Sequence, residues 1–453
     1  AVQLKTITKY RDLMSGSGVT AADFDKDGLC DVYFAGLEAN NAIFKNMGSF
    51  RFQELTPENL KCRGTLSTSV VSADLNGDTW MDLVVGTYMQ GAFVFINNQR
   101  GQFEKHSLTW ENSQSCAVYG ISVSDIENDG DLDLYLSNYR SESVRGNPNL
   151  QFETLFSDGR QQVVSAKDSS SGTEYSKDRF NINPNGKIFE SGVPDILLLN
   201  DGNGNFKPHK ASTLLTNESN QYYLNSLNWG LGSIFADINN DYIDDLYVCN
   251  DLDGGDYLYY GNGEGNFIAA NERLKFKSPM FSMGVDVADI NNDGWMDIIV
   301  VDMLNNQLNR RKLQIKHPPK ITESSEPPYV YQENSRNMLF LGNASGGFDE
   351  IAHYAMLESS DWSWAPLFID VDLDGFQDLL VTNGFSYDLE NPDIIRKLSN
   401  RAIAYANRNN GTIGYINEKA FEASRTRNDP NCAFKNNRDL TFTDVSKDWN
   451  RSE

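Results

Sequence analysis

Six copies of one acidic nonapeptide, a short strand-like run on either side of each, and a Gly/Asn-rich turn ending in Phe after most of them predict an all-β fold, a β-propeller of four-stranded blades. Six repeat units are visible, so the ring would be six- or seven-bladed. Residues 1–453 read as a single propeller domain with long inter-strand insertions.

The nonapeptide runs Asp, any residue, Asp or Asn, any residue, Asp, usually Gly, two residues, Asp. Its first, third, fifth and ninth positions are Asp23, Asp25, Asp27 and Asp31; Asp74, Asn76, Asp78 and Asp82; Asp125, Glu127, Asp129 and Asp133; Asp237, Asn239, Asp241 and Asp245; Asp289, Asn291, Asp293 and Asp297; and Asp370, Asp372, Asp374 and Asp378. Oxygen ligands at alternating positions, with a glycine for a sharp turn, suit a hard cation of flexible coordination, so each loop is a candidate Ca²⁺ site, up to six in all. An EF-hand is excluded, because Phe34, Val85, Val300 and Val381 stand where its closing Glu would be and the flanks read as strands. A single copy would be an ordinary Asx-rich turn as readily as a metal site. Six copies are not. They hold 21 of the 63 acidic residues, and six Ca²⁺ ions would halve the formal charge of −24 to −12. Thr79 and Tyr242 replace the usual glycine and Glu127 replaces the shorter Asp or Asn, which marks the second, third and fourth loops as the weakest sites.

The runs after the loops, such as Val32-Tyr33-Phe34, Leu83-Val84-Val85 and Ile298-Ile299-Val300, are short and rich in β-branched or aromatic residues, as strands are. Five residues before each first Asp the residue is small: Gly18, Ser69, Gly120, Gly232, Gly284 and Ala365. A strand near the crowded axis of a radial array meets that requirement. The Gly/Asn turns end at Phe50, Phe103, Phe206, Phe267, Phe348 and Phe442 and predict hairpins. Units three, five and six are longer than the rest between their second and third strands, which places insertions at about 139–193, 303–336 and 384–431. The third of these reads as short helices at Pro392–Arg401 and Ile403–Arg408.

Composition narrows the function classes. A charge of −24 opposes nucleic-acid binding through phosphate neutralisation. No apolar stretch is long enough to span a membrane as a helix. The five cysteines lack metal-ligand or CxxC spacing. Cys30 and Cys249 read as small buried hydrophobes, and a Cys62–Cys116 disulfide is conceivable. His106, His209, His317 and His353 show no ligand spacing, and neither a nucleophile elbow nor a phosphate-binding loop is present.

The loops with their strand flanks resemble the FG-GAP/VCBS repeats of integrin α-chain propellers. The segments Ser282–Leu304, Asp361–Gly384 and Phe434–Ser446 are similar to large secreted Bacteroidota VCBS-repeat proteins related to the cartilage acidic protein family. The resemblance implies a propeller usually of seven blades, calcium in the inter-strand loops, and an extracellular or cell-surface location, outer-membrane associated in such a bacterium. With six units visible, either the N-terminal strand Val2–Thr8 closes a six-bladed ring or one blade is missing from this chain.

In a four-stranded blade the acidic loops and the insertions lie on opposite faces. On the insertion face the sequence places Asn138, Asn250, Asp302 and Asn383, five residues after their closing aspartates, together with Trp362 and Trp364. These are candidate ligand residues for a protein or glycan at the cell surface. The favoured function is a calcium-stabilised extracellular binding or assembly module rather than an enzyme. The alternatives are a calcium-dependent, lyase-like polysaccharide-degrading enzyme using the basic cluster Arg310, Arg311, Lys312, Lys316 and His317, or a structural subunit of a larger cell-surface complex.

Overall fold

The computed structural model describes residues 16–449 except 100–101, 112, 142, 145–146, 148, 158–159, 183–185, 210–228, 253, 276, 313, 315–319, 324–329 and 385–429. The strand expected at Val2–Thr8, the helices expected within 392–408, and Lys316 and His317 lie outside the described residues.

Six antiparallel sheets of four strands each carry the fold, and each sheet is one sequence unit. The inner strands are Val19–Ala22, Ser67–Ala73, Cys116–Ser124, Gly230–Ala236, Gly284–Ala288 and Ser363–Ile369. Each is followed by an acidic loop and a second strand that opens on the loop's closing aspartate: Asp31–Phe34, Asp82–Thr87, Asp133–Arg140, Asp245–Asn250, Asp297–Val301 and Asp378–Asn383. The third strands are Ala42–Asn46, Ala92–Asn97, Ile196–Leu199, Tyr257–Gly261, Met338–Gly342 and Cys432–Asn436. The outer strands are Phe52–Glu54, Phe103–Leu108, Lys207–Pro208, Phe267–Ala269, Phe348–Glu350 and Phe442–Asp444. Every inner strand packs on the inner strand of the next sheet, from the first through to the sixth. This is the arrangement of propeller blades.

The small residue predicted in each inner strand lies at those contacts. A Cβ on Gly284 would come within 2.5 Å of the Trp364 carbonyl in the next sheet, and one on Gly18 within 2.6 Å of the Val70 amide. No side chain fits there without moving backbone, so crowding at the centre explains the pattern. The core lies between the sheets, as apolar layers: Tyr33 of the first sheet packs with Leu83, Val85, Phe93 and Phe95 of the second, and Tyr247 and Leu258 of the fourth pack with Ile298, Val300 and Phe340 of the fifth. Burying side chains of this size stabilises by about 1.5–3 kcal/mol each, which is what holds one blade on the next.

The long connections all join a second strand to a third. In the third unit the connection builds a sheet of its own from Leu150–Ser157, Arg160–Asp168 and Glu174–Tyr175, plus a strand pair Phe180–Ile182 and Ile188–Glu190 over a small core of Val163, Ala166 and Phe180. In the fifth, Lys320–Glu323 and Val330–Asn334 form a hairpin whose second strand pairs in parallel with Lys277–Pro279. Among the described residues the five cysteines are all free thiols, so no Cys62–Cys116 bridge exists. Cys249 is buried as expected, whereas Cys30 is exposed. Cys30 is the eighth residue of its loop, outside the sheet layer that buries Cys249.

The first hairpin differs from its expected register. Phe103, Phe267, Phe348 and Phe442 each pair with the last residue of the third strand, but in the first sheet it is Phe52 that pairs with Asn46. Phe50 sits in the turn itself, at φ 52° and 94% exposed. The sequence GSFRF contains two phenylalanines, and the turn is two residues longer than its last glycine suggests.

Candidate metal centres

All six acidic loops share one geometry. The first aspartate accepts the backbone N–H groups of positions five and six: Asp23 from Asp27 (3.1 Å) and Gly28 (2.8 Å), Asp289 from Asp293 (3.1 Å) and Gly294 (2.8 Å), and Asp370 from Asp374 (2.9 Å) and Gly375 (2.8 Å), with Asp74, Asp125 and Asp237 doing the same. The position-five carboxylate in turn accepts the N–H of position seven in every loop. These bonds wind the chain so tightly that positions four and six are left-handed throughout. Lys26, Asn240 and Leu373 have φ of 57°, 62° and 58°, and Gly28, Gly294 and Gly375 have 85°, 87° and 88°. That is the physical reason for the recurrent glycine.

Thr79 and Tyr242 take the same conformation, at φ 71° and 68°, with a Cβ to accommodate. Tyr242 is 94% exposed and gains no packing in return. Tyr242→Gly is therefore expected to raise stability by about 0.5–1 kcal/mol, read as a higher urea midpoint at unchanged slope.

The closing aspartates are the most buried members of the set. Asp31, Asp82, Asp133, Asp245, Asp297 and Asp378 are at most 2% exposed. Each clamps two segments of backbone: Asp297 accepts the Ile290 N–H at 3.0 Å and the Gly342 N–H at 2.8 Å, and Asp82 accepts those of Leu75 (2.9 Å) and Asn97 (2.7 Å). They therefore tie the acidic loop to the third strand. Burial pushes the carboxyls of Asp133, Asp245 and Asp297 up to about 7 and that of Asp82 to about 6. A bound cation would reverse that shift by favouring the anion.

The donor set fits a metal ion. In the first and sixth loops, carboxylate oxygens of Asp23, Asp25 and Asp27, and of Asp370, Asp372 and Asp374, lie within 4.8 Å of one another. Asp25 Oδ1 is buried with no hydrogen-bond partner. These same two loops, which have four carboxylates, also receive a lysine from the third strand. Lys45 pairs with Asp25 and with Asp27 (2.9 Å), and Lys435 pairs with Asp372, while Arg438 reaches Asp374 at 2.8 Å. The Lys45 ammonium holds the Asp27 carboxyl below its ordinary range. One lysine offsets one of the four ligand carboxylates, leaving the three negative charges that the ligand positions of the second, fourth and fifth loops carry, where Asn76, Asn239 and Asn291 stand at position three; the third loop, with Asp125, Glu127, Asp129 and Asp133, also has four. Charge matching of this kind was invisible in the loop motif alone, because Lys45 and Lys435 stand 14 and 57 residues beyond their closing aspartates.

Neighbouring loops also touch. Asn240 and Asn292 donate to the Gly294 and Gly375 carbonyls of the next loop, at 2.6 and 2.9 Å, and Lys26 Nζ donates to Thr79 Oγ1 at 2.5 Å. Position four of one loop thereby reads position six of the next.

At the other end of the sheets, the residues expected to face a ligand are engaged within the chain. Asn138, Asn250 and Asp302 are 0%, 1% and 0% exposed; Asn383, Trp362 and Trp364 are half-buried. Asn138, Asn250 and Asn383 donate from Nδ2 to the carbonyls of Pro194, Gly255 and Pro430, at 2.8 to 3.0 Å. Their own N–H groups donate to Asp195, Asp256 and Asn431. Asp302 accepts the N–H groups of Met280 and Phe281, both at 3.1 Å, and Trp364 Nε1 donates to the Gly384 carbonyl at 2.8 Å. The three asparagines fasten the end of the second strand to the segment entering the third, whereas Asp302 and Trp364 fasten the end of the second strand to the start of the inner strand or the segment before it. Arg311 of the basic cluster likewise bonds inward, to the Asn305 carbonyl (2.8 Å) and Ser359 Oγ (2.6 Å).

A family model described as FG-GAP-like repeat matches residues 23–85, 74–136 and 237–300, the stretches that contain the first four acidic loops and the fifth. The chain carries FG-GAP-like repeats. Cartilage acidic protein 1 from Mus musculus and from Homo sapiens are each 22% identical over 409 residues, 82% of this chain. The chain spans about half the length of these curated relatives, 57% and 56% respectively. Among solved structures, one described as BBS1N in complex with ARL6DN, soaked with lead, is 11% identical, with a TM-score of 0.30 over 81% of this chain and 88% of that one. Among the described residues no helix is long and apolar enough to cross a membrane.

Proposed function

We propose that this FG-GAP-like protein is a calcium-stabilised extracellular module that binds a protein or glycan partner on the end of the propeller opposite the acidic loops. One observation carries the reading: the hairpin Leu150–Ser157/Arg160–Asp168, inserted on that end, presents Leu155 and Phe156 at 57% and 72% exposure, on a framework with its own small core. Large apolar side chains held out on a built element suit a contact surface better than a solvated loop. Calcium would occupy the acidic loops and act on the binding end only by holding the blades in register. The acidic composition, the FG-GAP-like repeats and the likeness to cartilage acidic protein 1 support a location outside the cell, at the surface or within a larger surface assembly.

The test is binding of the labelled chain to arrays of surface glycans and extracellular proteins, with and without the paired change Leu155→Ser/Phe156→Ser. Loss of a hit at unchanged melting temperature supports the assignment. A hit that survives the change sinks it. Release of unsaturated product from uronic-acid polysaccharides by the wild-type chain would favour the enzymatic alternative.

A further inference from the structure

Unpaired sheet edges invite further strands, and folds protect theirs by keeping them short or charged. The blades follow that rule. Five of their outer strands are two or three residues long, and the sixth, Phe103–Leu108, carries Glu104 and Lys105. Leu150–Ser157, in the insertion of the third unit, departs from it: the strand runs for eight residues, contains one charge, Glu153, and pairs on one side only, with Arg160–Asp168. Among the described residues no other strand lies along its free side.

The side chains of this strand complement a copy of themselves. Phe152 packs on Phe180 with ring centroids 4.9 Å apart, and Phe152 and Thr154 stand opposite the buried Ala166 and Val163. Alternation therefore places Leu150, Phe152, Thr154 and Phe156 on the face of the small core. That core covers the first two in part, while Thr154 and Phe156 remain exposed. A two-fold axis through the free edge runs a second copy antiparallel with the same face up, so residues of one face meet residues of that face. The register centred on Glu153 sets two carboxylates opposite each other, which destabilises. The register centred on Thr154 sets Phe152 of each copy opposite Phe156 of the other, an aromatic pair made twice. Charge permits the approach. Residues 139–193 hold seven Lys or Arg and seven Asp or Glu, so the whole charge of −24 lies outside the insertion.

We infer that two copies of this chain associate through Leu150–Ser157, the two strands pairing antiparallel about a two-fold axis at Thr154 so that the two insertion sheets become one continuous sheet. Each strand supplies the backbone donors and acceptors that the free edge of the other lacks. The interface is confined to the insertion, and the blades and their acidic loops take no part in it. Leu155 lies on the opposite face of the joined sheet from Phe156, which leaves it open to the partner proposed above.

Sedimentation equilibrium of the full chain over a concentration series tests this. The wild type should approach twice the mass of one chain at the highest concentrations. Thr154 is exposed, and its hydroxyl bonds to Gln161 at the surface, so substitutions there spare the fold. Thr154→Lys and Thr154→Glu should each sediment as monomer with an unchanged melting temperature, because each sets like charges opposite across the axis. An equimolar mixture of the two should regain the doubled mass. A wild type that stays monomeric throughout overturns the proposal, as does either variant that still doubles alone, or a mixture that stays monomeric. Failure here is separable from failure of the partner reading: a monomeric wild type whose array hit is lost in Thr154→Lys gives the edge to a foreign strand, refuting the self-association and sparing the partner.

Discussion

Chelation of calcium is expected to lower the melting temperature of this protein by about 10 °C or more, since each site held at a hundredfold excess over its Kd adds about 2.7 kcal/mol to folding. The acids concerned repel one another in the absence of a cation, and a third-strand lysine, Lys45 or Lys435, offsets this in the first and sixth loops. The effect should also depend on pH, with a sign that can be worked out. Asp82, Asp133, Asp245 and Asp297 have folded-state values raised to about 6 or 7 above the ordinary 3.8. Without metal, the folded state therefore holds more protons than the unfolded chain between those values, and stability falls as pH rises from about 4 through about 7. Calcium opposes that trend by stabilising the anions, so its stabilisation grows over the same interval. Calorimetry at several pH values, in calcium and in chelator, reads both effects; a melting curve indifferent to chelator throughout would refute calcium as a structural ligand.

Asp297→Ala should be the most damaging single change within a loop, at about 2–5 kcal/mol, because it leaves two buried N–H groups, those of Ile290 and Gly342, without an acceptor. The loss is expected in chelator as well as in calcium, since the clamp is made by backbone and carboxylate alone. Asp289→Ala is the contrasting variant. Its hydrogen bonds lie in an exposed turn, so its cost should appear mainly when calcium is present. Urea titrations of the two variants in both conditions separate a strut from a ligand. Equal behaviour would mean that the ninth position of the loop has no role apart from the first.

What could be read in advance was whatever the repeat stated six times. The position-six glycine, the small inner-strand residue and the strand content all express constraints that recur in every unit, and the left-handed φ values and the contact of Gly284 with Trp364 show those constraints directly. Contacts made once, or between units, were harder to see. The reach of Asn97, Asn200 and Asn436 into the preceding sheet was present in the sequence as the Asn that opens the turns NNQRGQF, NDGNGNF and NNRDLTF, but a turn residue carries its own local explanation, which concealed the long-range one. Asn138, Asn250 and Asp302 misled in the opposite direction: polar residues at a strand end on the open face suggest a ligand surface, and only the fold shows the asparagine amides turned toward the strand that follows and the Asp302 carboxylate turned toward the segment that enters the inner strand. Spacing cannot distinguish Phe50 from Phe52 as the hairpin Phe, and only the strand register puts Phe52 opposite Asn46.

The links between neighbouring loops, Lys26 to Thr79, Asn240 to Gly294 and Asn292 to Gly375, make each unit's order conditional on the one beside it. Such an array has the thermodynamics of a chain of coupled spins. A unit with two neighbours is pinned from both sides, whereas a terminal unit of an open series has one and frays first, so amide exchange that quickens from the middle sheets toward Tyr33 and Leu380 would mark the series as open. Joining the ends would abolish that gradient and convert gradual fraying into a single cooperative transition.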